Sequence, residues 1–132
     1  MNSVDHIGIA VTDLEASIRL YSESFGLTLT HREVLPLEQI EVAFMSGVGT
    51  SIELITTNKS DTPLGRSLAS RGPGLHHLCF ETTDIREELQ RLEAIGHTLI
   101  DREPRIGSRG KLIAFLHPRT SGGALIELCQ KV

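Results

Sequence analysis

The sequence predicts an α+β fold made of two tandem βαβββ modules. Three observations carry that expectation. The order strand, helix, three strands runs twice along the 132 residues. Each of the two helical segments follows an Asp and stops at a Gly. Equivalent residues also recur at a nearly constant offset: His6 and His77 stand 71 residues apart, and so do Asp13 and Asp84. Self-similarity at one offset is the mark of an internal repeat. The chain reads as a single domain over 1–132, with one module at about 3–57, a linker at about 58–73 and a second module at about 74–130.

Each element has its own signal. SVDHIGIAV is rich in β-branched residues and partly alternating, so it reads as a strand. Asp13 then stands as an N-cap before Leu14, Ile18, Tyr21 and Phe25 at helical spacing, and Gly26 stops the run. LTLTHREV, IEVAFMS and SIELITT are short strands separated by a turn around Pro36 and by GVGT. NKSDTPLGRSLASRGPG is polar and Gly-rich and reads as the linker, with one short helical turn at LGRSLAS. The plan then repeats. GLHHLCFET is a strand, Asp84 an N-cap, and Ile85, Leu89, Leu92 and Ile95 mark a helix that ends at Gly96. HTLIDRE, KLIAFLH and ALIELCQ supply three more strands.

Composition excludes several function classes. With a net charge of −4, no Trp, one Tyr and four Phe, the chain lacks the basic surface and the stacking residues of a nucleic-acid binder. No apolar stretch approaches the roughly 20 residues that span a bilayer, and the N-terminus lacks the charged and apolar regions of a signal peptide. A cytoplasmic protein with no membrane partner is expected. Cys79 and Cys129 lie in strand-like apolar runs and are expected as buried free thiols. GVGT and TSGG are hairpin turns that precede no helix, so neither is a phosphate loop, and no Ser or Cys sits in a nucleophile elbow.

One constellation carries chemistry. DHIGIAV aligns with HHLCFET, so His77 rather than His76 is the partner of His6. The pleat puts His6, Gly8 and Ala10 on one face of the first strand and His77, Cys79 and Glu81 on one face of its repeat, with His76 on the opposite face. Glu53 in SIELI and Glu127 in LIELC occupy the last strand of their modules, each flanked by Ile and Leu. A carboxylate aimed into an apolar sheet needs a partner. Two imidazoles and two carboxylates at repeat-equivalent positions suit one divalent ion such as Zn, Co, Mn, Ni or Fe(II). His31 and His97, near helix-to-strand transitions, read as exposed; His117 ends a strand where a backbone hydrogen bond is expected.

VDHIGIAVTDLEASI, RGPGLHHLCFETTDI and EPRIGSRGKLIAFLHPRTSGGALIEL together resemble the vicinal oxygen chelate superfamily, and within it the methylmalonyl-CoA epimerase branch. The resemblance implies tandem modules paired into a curved, cup-like mixed sheet around a metal site. It implies ligation by His6, His77 and Glu127, with Glu53 at the fourth ligand position, where some members carry Gln. It also implies a homodimer and a methylmalonyl-CoA substrate, the metal being Co, Mn, Ni or Zn. Removing and returning the C2 proton then needs two bases on opposite faces, which the resemblance places at Glu38 and Glu127, with Glu41 a weaker candidate for the former. Arg105, Arg109 and Lys111 form a basic cluster open to a phosphate or carboxylate role. The competing expectations are a glyoxalase I-type lyase acting on a glutathione hemithioacetal and a metal-free binding protein of the same superfamily.

Overall fold

The computed structural model describes residues 3–132. Its elements in chain order are β1 (Ser3–Ala10), α1 (Leu14–Glu23), β2 (Thr28–Leu35), β3 (Ile40–Ser46), β4 (Ser51–Thr56), α2 (Pro63–Arg71), β5 (Gly74–Glu81), α3 (Ile85–Ala94), β6 (Arg105–Ile106), β7 (Leu112–Leu116) and β8 (Ile126–Gln130). The described residues divide into two compact units, one of residues 7–76 and one of residues 3–6 with 77–132.

In the unit of residues 7–76 the strands lie in the order β2-β3-β4-β1, with β2/β3 and β3/β4 antiparallel. The carboxylate of Asp13 accepts the Ala16 N–H at 3.0 Å and so caps α1, and the chain leaves the helix through Gly26 at φ +70°. The pleat sorts this sheet into two faces. Ala43, Met45 and Leu54 pack with Leu14 of α1, whereas Val42, Phe44 and Ile55 pack with Ala10 and with Leu64 and Leu68 of α2. The segment expected to hold one helical turn is thus a nine-residue helix. Thr62 caps it by accepting the Gly65 N–H at 3.0 Å, Pro63 starts it, and Leu64 and Leu68 share the buried side one turn apart. Gly65 permits the close approach, since a Cβ there would stand 2.0 Å from the carbonyl oxygen of Lys59.

In the other unit the order is β5-β8-β7-β6. Strands β5 and β8 run parallel, with Cys79 opposite Glu127, while β7/β8 and β6/β7 are antiparallel. Asp84 caps α3 by accepting the Glu87 N–H at 3.1 Å, and the Gln130 side chain accepts the Ile85 N–H at 2.7 Å. Ile85, Leu89 and Leu92 cover Ala114, Leu116 and Leu128. Cys79, Ile113 and Cys129 form a second cluster, with Phe115 against it.

One expected strand is largely missing. Residues 97–103 contribute a single bridge, Leu99 to Leu116, and β6 has only two residues. The Asp101 carboxylate takes the Phe115 N–H at 2.9 Å, while the N–H groups of Ile100 and Asp101 both converge on the Phe115 carbonyl. A side chain therefore replaces a regular ladder here, and Pro104 has no N–H with which to resume it.

Leu128 is fully buried beneath α3. Leu128→Ala is expected to lower the unfolding free energy by about 2–5 kcal/mol in urea denaturation, with an unchanged denaturant slope. A loss below about 1 kcal/mol contradicts this packing.

Candidate metal centre

Alternation along β1 buries His6, Gly8 and Ala10 in turn, and β5 buries His77 and Cys79. Because Cys79 lies opposite Glu127 in the parallel pair, β8 presents Glu127 on the same side as His77. Three side chains with at most 5% exposure meet there. His6 Nε2 stands 3.1 Å from His77 Nε2 and 3.0 Å from Glu127 Oε1, and His77 Nε2 is 3.2 Å from the same oxygen. The imidazoles meet edge to face, with centroids 5.2 Å apart.

Two ring nitrogens and a carboxylate oxygen in mutual contact at this burial require a proton or a cation among them. Donor atoms bound about 2.1 Å from one ion at adjacent octahedral positions lie about 3 Å apart, so these separations fit a shared divalent ion. The donors are nitrogen and oxygen, suited to a borderline or hard cation.

Asp5 stands beside the cluster. Its Oδ2 accepts from His6 Nδ1 at 2.7 Å and its Oδ1 from Lys111 Nζ at 2.8 Å, and the Arg109 guanidinium also pairs with it. Burial alone raises the Asp5 carboxyl, but the hydrogen bonds from His6, Lys111 and Arg109 outweigh it and hold the group well below the ordinary carboxylate range. Cys79 is also close to Asp5 and His6. Its hydrogen bond with Cys129 and its burial push its thiol up. Both cysteines are free and buried, as the sequence suggested.

The remaining candidates occupy varied positions. Glu53 is buried on β4 with 4% exposure, opposite Phe44 of β3. Glu38 lies half-buried in the turn between β2 and β3. Glu41 takes the α1 side of its sheet, where Arg32 bridges it to Glu15 of the helix. His76 lies on β5 one residue from His77 and therefore points to the opposite face. His117 Nδ1 accepts the Arg119 N–H at 3.0 Å, the backbone role expected of it. His31, expected to be solvated, bonds Glu33 at 2.8 Å, and its position opposite Phe44 puts this pair on the same sheet face as Glu53. Arg105 lies over Phe115, with its guanidinium carbon 5.8 Å from the ring centroid. Asp5 is the neighbour that sequence reasoning missed. The only available signal was its place next to a candidate ligand in VDHIG.

A family model for the Glyoxalase/Bleomycin resistance protein/Dioxygenase superfamily matches residues 5–115, and the chain belongs to that superfamily. It is 40% identical over 98% of its length to the uncharacterized protein YqjC of Bacillus subtilis, covering 93% of that protein. It is 34% identical to an ethylmalonyl-CoA/methylmalonyl-CoA epimerase of Cereibacter sphaeroides, with 96% of each chain covered. A methylmalonyl-CoA epimerase solved in complex with methylmalonyl-CoA and NH4+ superposes with a TM-score of 0.93 at 32% identity, over 98% of this chain and 94% of the other. The fold is therefore that of the epimerase structures, as the tandem βαβββ pattern led one to expect.

His77→Ala is expected to abolish stoichiometric binding of Co or Zn, measured by metal analysis after dialysis, while His76→Ala retains it. Equal loss in both variants contradicts the assignment of His77 to the centre.

Proposed function

We propose that the chain is a metal-dependent epimerase that interconverts the (2R) and (2S) forms of methylmalonyl-CoA. The observation that carries this reading is the buried convergence of His6, His77 and Glu127, in a chain similar over nearly its whole length to proteins named as epimerases of such thioesters. These three side chains would hold a divalent ion. Glu53, the repeat counterpart of Glu127 and a buried carboxylate, is proposed as the fourth ligand. Two neutral imidazoles and two carboxylates then balance a divalent charge.

A divalent ion supplies Lewis-acid stabilisation of the negative charge that develops on the thioester carbonyl as the C2 proton leaves. The protein must supply the proton transfers. Glu127 takes or returns the C2 proton on one face, and Glu38 acts on the other face. Return of the proton from the opposite side of the planar enolate inverts the centre, and no redox cofactor or covalent nucleophile takes part. The same reading carries a cytoplasmic homodimer. Among the described residues, no helix is long and apolar enough to cross a membrane.

Deuterium exchange at C2 of methylmalonyl-CoA in D₂O tests the proposal. Uptake with loss of configuration, abolished by EDTA and restored by Co or Mn, is expected. No exchange with any added divalent metal overturns it, and turnover of methylglyoxal with glutathione in the same preparation favours the lyase instead. Glu38→Gln is expected to lower kcat by about 10²–10⁴ with metal content unchanged. An unaltered kcat removes Glu38 from the mechanism.

A further inference from the structure

Residues 107–111, Gly-Ser-Arg-Gly-Lys, have the composition of an anion-binding loop, yet the structure turns their two cations inward. Lys111 Nζ lies 2.8 Å from Asp5 Oδ1 and the Arg109 guanidinium contacts Asp5 Oδ2. Side-chain exposure is 12% for Lys111, 24% for Arg109 and 11% for Asp5. Lys111 also reaches Glu81 at 3.5 Å. These cations already have a carboxylate partner.

The loop backbone is shaped for that placement. The Gly107 N–H donates to the Lys111 carbonyl at 2.8 Å and closes the turn. A Cβ on Gly107 would come within 2.5–2.9 Å of the Ile113 side chain, so only glycine lets the loop lie this close to β7. Arg109 holds the left-handed conformation at φ 59° and ψ 22°, which is uncommon for a residue with a side chain, and Gly110 follows it at φ 66°. Two successive left-handed residues let Arg109 and Lys111 approach the same carboxylate.

Asp5 in turn faces His6. With both Asp5 oxygens receiving donors from cations, the proton between Asp5 Oδ2 and His6 Nδ1, 2.7 Å apart, belongs to the imidazole. His6 Nε2 is then the lone-pair nitrogen, and it is the nitrogen that meets His77 and Glu127.

We infer that loop 107–111 is a clamp for a metal ligand: Arg109 and Lys111 fix Asp5, and Asp5 fixes the orientation and tautomer of His6. All three are positioning residues, and the inference rests on reading the His/Glu cluster as a metal centre. Outer-shell partners of ligating histidines typically contribute 10–100-fold in metal affinity. The clamp also links residues 104 and 106 positions apart in sequence.

The test measures Zn affinity by chelator competition for the wild type, Asp5→Asn, Lys111→Met, Lys111→Arg, Arg109→Gly and His6→Ala, with the melting temperature of each metal-free protein. It adds the His6 tautomer from ¹⁵N long-range correlation spectra of the metal-free wild type and Asp5→Asn. Asparagine keeps the shape but can present an N–H to Nδ1. Glycine at position 109 accepts the left-handed backbone without strain, so that variant removes the cation while preserving the turn.

Expected are a 10–100-fold weaker Zn affinity in Asp5→Asn, a smaller loss in the same direction in Arg109→Gly and Lys111→Met, and recovery in Lys111→Arg. The wild-type His6 is expected to carry its proton on Nδ1, and Asp5→Asn to depart from that state. Wild-type affinity in Asp5→Asn, beside a large loss in His6→Ala, overturns the clamp and leaves the metal centre standing. Equal Zn affinity in wild type and His6→Ala overturns the metal centre itself. The spectra then decide the clamp alone: an unchanged His6 tautomer in Asp5→Asn overturns it.

Discussion

Two imidazole nitrogens and a carboxylate oxygen lie 3.0–3.2 Å apart where water hardly reaches. In an apolar interior such a group of acceptors is costly unless positive charge sits among them. That constraint orders much of the surrounding structure. Alternation on β1 and β5 must bury one histidine from each strand, and the parallel register of β8 against β5 must deliver Glu127 on the same side. A one-residue slip of β8 would turn Glu127 toward α3 and bring Leu128 to the donor atoms.

Charge is arranged in layers around this point. Next to His6 stands an anion, Asp5, and behind Asp5 stand two cations, Lys111 and Arg109. Each sign is followed by its opposite, which lets ionised groups remain half-buried without an uncompensated charge. The cysteine pair lies close by but takes a different course. The hydrogen bond between them and burial push the Cys79 thiol up, whereas the same hydrogen bond lowers Cys129.

Much of this was legible in the sequence, for identifiable reasons. The 71-residue offset, the N-cap aspartates and the two-residue pleat are local or periodic signals. They pointed to both principal helices and to the alternation that buries His77 and not His76 on β5. Signals that depend on distant partners were not readable. Asp5 looked like an ordinary strand residue because the groups that define its role are 104 and 106 positions away. The cations of GSRGK looked available because nothing local shows that the loop turns inward. The strand expected over 97–103 failed because Asp101 supplies a side-chain acceptor in place of a ladder. The face taken by Glu41 followed from the β2–β3–β4 registers and an arginine on β2, which composition does not encode.

X-ray absorption on the protein loaded with one equivalent of Zn or Co tests the central arrangement most directly. Expected is a first shell of nitrogen and oxygen only, at about 2.0–2.2 Å, with the outer-shell scattering of two imidazoles. A sulfur contribution at about 2.3 Å, or a shell with fewer than two imidazoles, contradicts the assignment of the centre to His6, His77 and Glu127.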